Sequence, residues 1–250
     1  MTQEIAVTVV DRVQTIRFNR PAKKNALNSA MYTALSAALA AGDLDPAVGV
    51  HLFAGTAGAF SAGNDIAEFL DGGTGLAQPT VDFLRALPHV GKPLVAAVDG
   101  LAVGIGTTLL LHCDLVYASP RSRFVTPFLN LGLVPEAASS LLAPRRMGHH
   151  KAFELLVLGE TWGAEQAERA GLVNAVVPEV EVEVRAREAA VRLAAKPLEA
   201  LAAARRLLKG DVADIVARID AEVAVFAERL QSPEAKAAFA AFLAKSVRSA

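Results

Sequence analysis

Residues 99–114, DGLAVGIGTTLLLHCD, constrain this chain more than any other stretch. The apolar run LVAAV at 94–98 leads into Gly100, Gly104 and Gly106 and then into a short segment apolar on nearly every face. That pattern predicts a strand feeding a buried helix. A helix start leaves backbone N–H groups unpaired and carries the positive end of the dipole, and glycine lets a ligand or other backbone come close. The turn therefore suits an oxygen on which negative charge develops; taken alone, it equally fits a glycine-rich turn packed in a core. A dinucleotide fingerprint is ruled out, because Leu109 stands where the third glycine of that motif would fall.

The rest of the chain supplies strands and helices around this turn. Residues 5–10 and 13–18 are β-branched runs separated by Asp11-Arg12 and predict a hairpin, and 50–54, 94–98 and 115–118 predict further strands. Asn28 is placed to cap a helix through about Ala41, with Gly42 as its stop. Past Glu136 strands nearly vanish, and helices are expected at 148–158, 163–170, 181–195, 197–209, 211–230 and 233–247. Residues 71–75, DGGTG, predict a mobile loop. Alternating strands and helices imply βα crossovers, so the expectation is an α/β core, residues 1–195, with a helical C-terminal region, 196–250. On the segment 212–230 the residues Val212, Ile215, Val216, Ile219, Val223, Phe226 and Leu230 form one apolar stripe, for the chain's own core or for a partner subunit.

Charge and cysteine content narrow the function. The 25 basic and 26 acidic side chains nearly cancel, which removes the electrostatic case for nucleic acid or an anionic membrane. The lone Cys113 forms no internal disulfide, no His/Cys spacing suits a metal, and the N-terminus lacks a signal-peptide pattern; a cytoplasmic location is expected. No apolar run is long enough to span a bilayer.

Three segments join the central one: NRPAKKNALN at 19–28, AFSAGNDIAEF at 59–69, and FVTPFLNLGLVPEAASS at 124–140. In this order and spacing the chain resembles the crotonase superfamily of enoyl-CoA hydratases and isomerases over almost its full length. The resemblance implies a crotonase-type ββα spiral core with a helical C-terminal region, assembly as homotrimers or dimers of trimers, and an acyl-CoA thioester substrate, with no cofactor or metal. It assigns the two backbone N–H groups that hold the thioester oxygen to Asn64, in Ser61-Ala62-Gly63-Asn64-Asp65, and to Ile105, between Gly104 and Gly106. Isoleucine is acceptable at Ile105 provided its φ is not positive. Ala62 and Ile66 match positions that meet the adenine, Lys24 a position near the CoA phosphates, and Phe242 and Lys245 the terminal segment that covers a neighbouring subunit's nucleotide. For Lys24 and Lys245 a solvated surface role stands beside this one. Asp65 is read first as a helix cap, and His112 as a core side chain.

Where the resembling hydratases carry two glutamates, this chain has Thr108 and Phe128, neither of which is a carboxylate base. Glu136, after Leu133-Val134-Pro135, instead resembles the single catalytic glutamate of the Δ3,Δ2-enoyl-CoA isomerase branch. The plainer reading of Glu136 is a first-turn helix residue favouring the positive helix end. The expectation is an isomerase converting 3-enoyl-CoA to 2-enoyl-CoA. The alternatives are a hydratase or another crotonase-type acyl-CoA enzyme, or a non-catalytic acyl-CoA-binding scaffold.

Overall fold

The computed structural model describes residues 4–71 and 75–248, the side chains of 69–71 and 242–248 excepted. Strands β1 (Ile5–Val10) and β2 (Val13–Phe18) pair antiparallel from Ile5 opposite Phe18 to Val10 opposite Val13. The expected two-residue hairpin forms with positive φ at both Asp11 and Arg12, the geometry that matches strand twist. Helix α1 (Ser29–Leu44) starts where expected, with the Asn28 side chain accepting the Met31 N–H at 2.8 Å.

Gly42 does not stop this helix. It lies inside α1, buried against β2 and β3 (Val50–Ala54), where an added Cβ would fall 2.1 Å from Gln14 Oε1 and 2.7 Å from the His51 ring. Its lack of a side chain serves that close approach and not a left-handed cap.

After β3 the chain repeats a pattern of a long strand followed by a short one. β4 (Ala59–Ser61) precedes α2 (Ile66–Asp71) and α3 (Gln78–Ala86); β5 (Leu94–Val98) and β6 (Leu101–Val103) precede α4 (Ile105–Thr108), which tightens into a 3₁₀ turn over Leu109–His112. β7 (Leu115–Ala118) and β8 (Arg123–Val125) follow, then α5 (Ser139–Met147) and α6 (His149–Leu156). The longer strands join a six-stranded sheet, β1-β2-β3-β5-β7-β10, parallel from β2 onward and ending on the short β10 (Ala175–Val176); the short β4, β6 and β8 join a second sheet, β4-β6-β8-β9, with β9 at Trp162–Gly163. The spiral of ββα turns is thus formed. The two remaining strands, β9 (Trp162–Gly163) and β10 (Ala175–Val176), flank α7 (Ala164–Arg169). Phe18 stacks on Phe53 at 6.0 Å and meets Phe60 edge-on at 5.1 Å, so one buried ring ties the two sheets.

The C-terminal helices α8 (Val182–Ala194), α9 (Leu198–Lys209), α10 (Val212–Leu230) and α11 (Pro233–Arg248) fall within a residue or so of expectation. α8 covers the outer sheet face, its Val182, Ala186, Ala190 and Ala194 packing on Val13, Val50, Leu52 and Val95. The α10 stripe turns inward: Ile215, Ile219, Phe226 and Leu230 are buried in the chain's own core and Val223 packs against it. Elsewhere in the C-terminal region Leu207 and Leu208 of α9 are 86% and 89% accessible, and exposed apolar side chains also occur at Leu44 and Val180. Residues 72–74 of the expected mobile loop lie outside the described residues. No helix among the described residues is long and apolar enough to cross a membrane.

Candidate active site

Two loop N–H groups are presented by different turns of the spiral. After β4 the segment 61–65 runs beside residues 24–27: the Ala62 N–H donates to the Lys24 carbonyl at 2.9 Å, Leu27 N–H to Gly63 at 2.7 Å, and Asp65 N–H to Leu27 at 2.8 Å. This alternation leaves the Asn64 N–H without a protein acceptor among the described residues. On the neighbouring turn Gly104, at φ 52 and ψ −119, reverses the chain between β6 and α4, a conformation that a Cβ would strain. Its carbonyl accepts the Thr107 and Thr108 N–H groups, while the Ile105 N–H, at the start of the helix, has no protein acceptor among the described residues. Ile105 is not among the positive-φ residues, so its buried side chain does not disturb the turn.

Glu136 is held by the helix that Ile105 begins. It is 2% exposed, and Thr108 Oγ1 donates to its Oε1 at 2.5 Å. Thr108 lies three residues after Ile105, about one helical turn along α4, so the same short helix carries the Ile105 N–H and the hydroxyl that holds Glu136. Burial pushes the Glu136 carboxyl up to about 8; the Thr108 bond opposes this and the negative Glu222 adds to it. Glu136 is not in the first turn of a helix. α5 begins at Ser139, and Glu136 sits ahead of it in a turn whose next two residues, Ala137 and Ala138, both have left-handed φ, 59° and 54°. Tyr32 of α1, fully buried, donates to the Asn64 side-chain oxygen, and burial first, then Glu136, raise its hydroxyl pKa well above the ordinary value.

A cavity of about 380 Å³ opens between these groups and the C-terminal helices. Ala62, Gly63, Asn64, Ile66 and Gly104 form one wall, Phe128 and Leu133 another, and Phe226 with Phe239 of α10 and α11 a third. Ser61 does not reach it: its hydroxyl donates to the Asn25 carbonyl and accepts the Gly63 N–H, shaping the loop. Asp65 caps α2 through the Ala67 N–H and pairs with Arg20 at 2.7 Å, which holds its carboxyl low against the opposing effect of burial. Thr108 and Glu136 sit behind the cavity's lining. Lys24 is exposed, with φ 49. Phe242 and Lys245 fall on α11, and their side chains lie outside the described residues. The portion of α11 that is described covers this chain's own cavity, with Ala235 seated against Gly132.

Tyr32, Glu222, Phe226 and Phe239 are the site's unanticipated members. Glu222 alone left a signal, an acid on the buried face of α10 between Ile219 and Phe226.

A family model described as Enoyl-CoA hydratase/isomerase matches residues 9–248. A Rhizobium meliloti (strain 1021) protein named "Probable enoyl-CoA hydratase" is 35% identical over 252 residues, covering 97% of this chain and 96% of that protein. The rat protein Enoyl-CoA delta isomerase 2 is 41% identical over 182 residues, 70% of this chain but 46% of its own length. The solved structure of Pseudomonas aeruginosa OdaA superposes with a TM-score of 0.93 at 43% identity, covering 96% of this chain and 99% of that one. Hydratases and isomerases thus both stand among the relatives.

Proposed function

The chain belongs to the enoyl-CoA hydratase/isomerase family of the crotonase superfamily, and within it we propose a Δ3,Δ2-enoyl-CoA isomerase. The observation that carries this reading is the buried carboxylate of Glu136, held by Thr108, while Phe128 lines the cavity wall at the position matching a second hydratase glutamate. In this reading the thioester oxygen of a 3-enoyl-CoA lies between the Asn64 and Ile105 N–H groups. Glu136 removes a proton from C2; the C–H electron pair becomes part of a dienolate whose negative charge rests on the thioester oxygen. Glu136 then returns the proton to C4 and the double bond ends between C2 and C3. One carboxylate acts as base and then acid, and its elevated pKa keeps the protonated form long enough to donate. Each backbone donor contributes about 3–4 kcal/mol to the barrier reduction, by the measure of other oxyanion holes.

Hydration needs a water held against C3 by groups that orient and deprotonate it. Phe128, which replaces one such group with an aromatic ring, supports a dry pocket instead. The test is to incubate the purified protein with a 3-enoyl-CoA and, separately, with a 2-enoyl-CoA. The expected result is a shift of the double bond in the first case and no 3-hydroxyacyl-CoA in the second. Efficient formation of the 3-hydroxy product would overturn the isomerase reading. In Glu136→Gln, kcat should collapse while KM changes little, because the amide keeps the shape and cannot accept the proton.

A further inference from the structure

The turn that carries Glu136 is gripped from two sides by buried groups outside the reacting set. Ala137 and Ala138 both adopt left-handed φ, a conformation that alanine holds only when its surroundings over-determine it. On one side His112, buried and with a pKa lowered by burial to about 4, donates from Nε2 to the Ala137 carbonyl at 2.7 Å. On the other, Glu222 of α10 accepts the Ala138 N–H at 2.6 Å, the Ser140 N–H at 3.0 Å and the Ser140 hydroxyl at 2.5 Å. Glu222 is 7% exposed and occupies a core position of an otherwise apolar stripe. An acid there is costly unless its oxygens are satisfied, and this one spends both oxygens on the turn.

We propose that Glu222 is a positioning residue for proton transfer, fixing the 136–140 turn so that the Glu136 carboxylate faces the acyl carbons. The proposal rests on the reading of Glu136 as the base. Glu222 neither lines the cavity nor touches the acyl group; it acts through Glu136.

Its charge supplies a readout that a merely structural residue would not move. The groups facing Glu136 are Thr108 from α4, Tyr32 from α1 and Glu222 from α10. Arg218, on α10 itself, reaches the Ser140 hydroxyl at 3.2 Å, while Arg145 of α5 and Arg85 of α3 are engaged by Asp214 and Asp220. Glu222 is thus the negative group that helps keep Glu136 protonated, and removing that charge moves the acid limb of the kcat/KM profile to lower pH.

The experiment follows kcat, KM and the pH profile of the full chain between about pH 6 and 10. The parent is compared with Glu222→Gln, Glu222→Asp, Ser140→Ala and Glu136→Gln, with melting curves for each. Glu222→Gln should lose about ten- to a hundredfold in kcat, the scale set by misplacing a reacting group by an ångström, with KM moving far less. Its acid limb should shift to lower pH. Glu222→Asp, which keeps the charge and loses reach, should lose kcat while its limb stays at the parental pH. Ser140→Ala, which removes one of three donors, should lose less kcat than either. A folded Glu222→Gln protein with kcat within about twofold of the parent and an unmoved limb overturns the proposal. If Glu222→Gln does not fold, parental kcat in both Glu222→Asp and Ser140→Ala overturns it. Activity retained in Glu136→Gln sinks the base assignment itself; an inactive Glu136→Gln beside a parental Glu222→Gln sinks only the positioning role.

Discussion

Thr108→Val isolates the hydrogen bond that, in the proposed mechanism, makes the buried Glu136 usable as a base. Thr108 is fully buried and valine reproduces its shape, so the change removes the hydroxyl and little else. That hydroxyl donates to Glu136 at 2.5 Å and also touches the Gly104 carbonyl at 3.3 Å, the weaker bond by length. A hydrogen bond to a charged group contributes about 1.5–3 kcal/mol. It favours the ionised carboxylate, and 1.36 kcal/mol corresponds to about one pKa unit. Burial already places Glu136 at about 8, so the variant should titrate about one to two units higher. At pH 7 the ionised fraction would fall from about a tenth to about a hundredth or less, and kcat/KM by a similar ten- to hundredfold. The deficit should shrink as pH rises past the new pKa. The assay is kcat/KM for a 3-enoyl-CoA against pH, parent and variant in parallel. A variant limb at or below the parental pH would refute the reasoning, because it would mean that Thr108 does not stabilise the anion from which catalysis starts.

The same burial has a price in stability, with a definite sign. Glu136 has a folded pKa raised above its unfolded value of about 4.5, so the folded state is favoured below that pH and loses stability as pH rises toward about 8; Glu136→Gln should melt increasingly above the parent across this window, by up to about 1.4 kcal/mol per pH unit. Equal melting of the two at pH 5 and pH 8 would count against the elevated pKa. Tyr32→Phe removes the donor to the Asn64 side chain and should lower kcat several-fold with little change in KM, since the oxyanion donor is on the same residue; unchanged kcat would show that the Asn64 backbone holds itself. The exposed Leu207 and Leu208 of α9, and not the inward-facing α10 stripe, are expected to carry subunit contacts: Leu207→Glu with Leu208→Glu should lower the mass seen by light scattering, and a parent that is monomeric at micromolar concentration would reject the expectation.

The longer strands were legible because β3, β5 and β7 are apolar runs of four or five residues bounded by turn residues. Their partners β4, β6 and β8 have three residues each, too few for any periodicity, and exist because the spiral stacks them on one another. Gly42 looked like a helix stop because glycine's two uses, a left-handed cap and a close approach, leave the same letter in the sequence. The position of Glu136 was legible from its flanking motif, but its setting was not: a left-handed pair made of two alanines has no local signal, and only His112 and Glu222, distant in sequence, explain it. Glu222 was visible as an acid within an apolar stripe and went unread, since the stripe pointed to packing and the partner turn lies more than eighty residues earlier.

The closing of the cavity by α10 and α11 also orders events in time during synthesis. The ribosome delivers the chain from its amino end, so the proposed base, Glu136, and the proposed oxyanion donors, Asn64 and Ile105, emerge well before the helices bearing Phe226, Phe239 and Glu222. A chain lacking the residues beyond about 200 would lack the third wall of the cavity and the Glu222 contacts on the 136–140 turn. In the proposed reading, competence for turnover therefore waits for the last two helices, which complete the cavity wall and brace the turn.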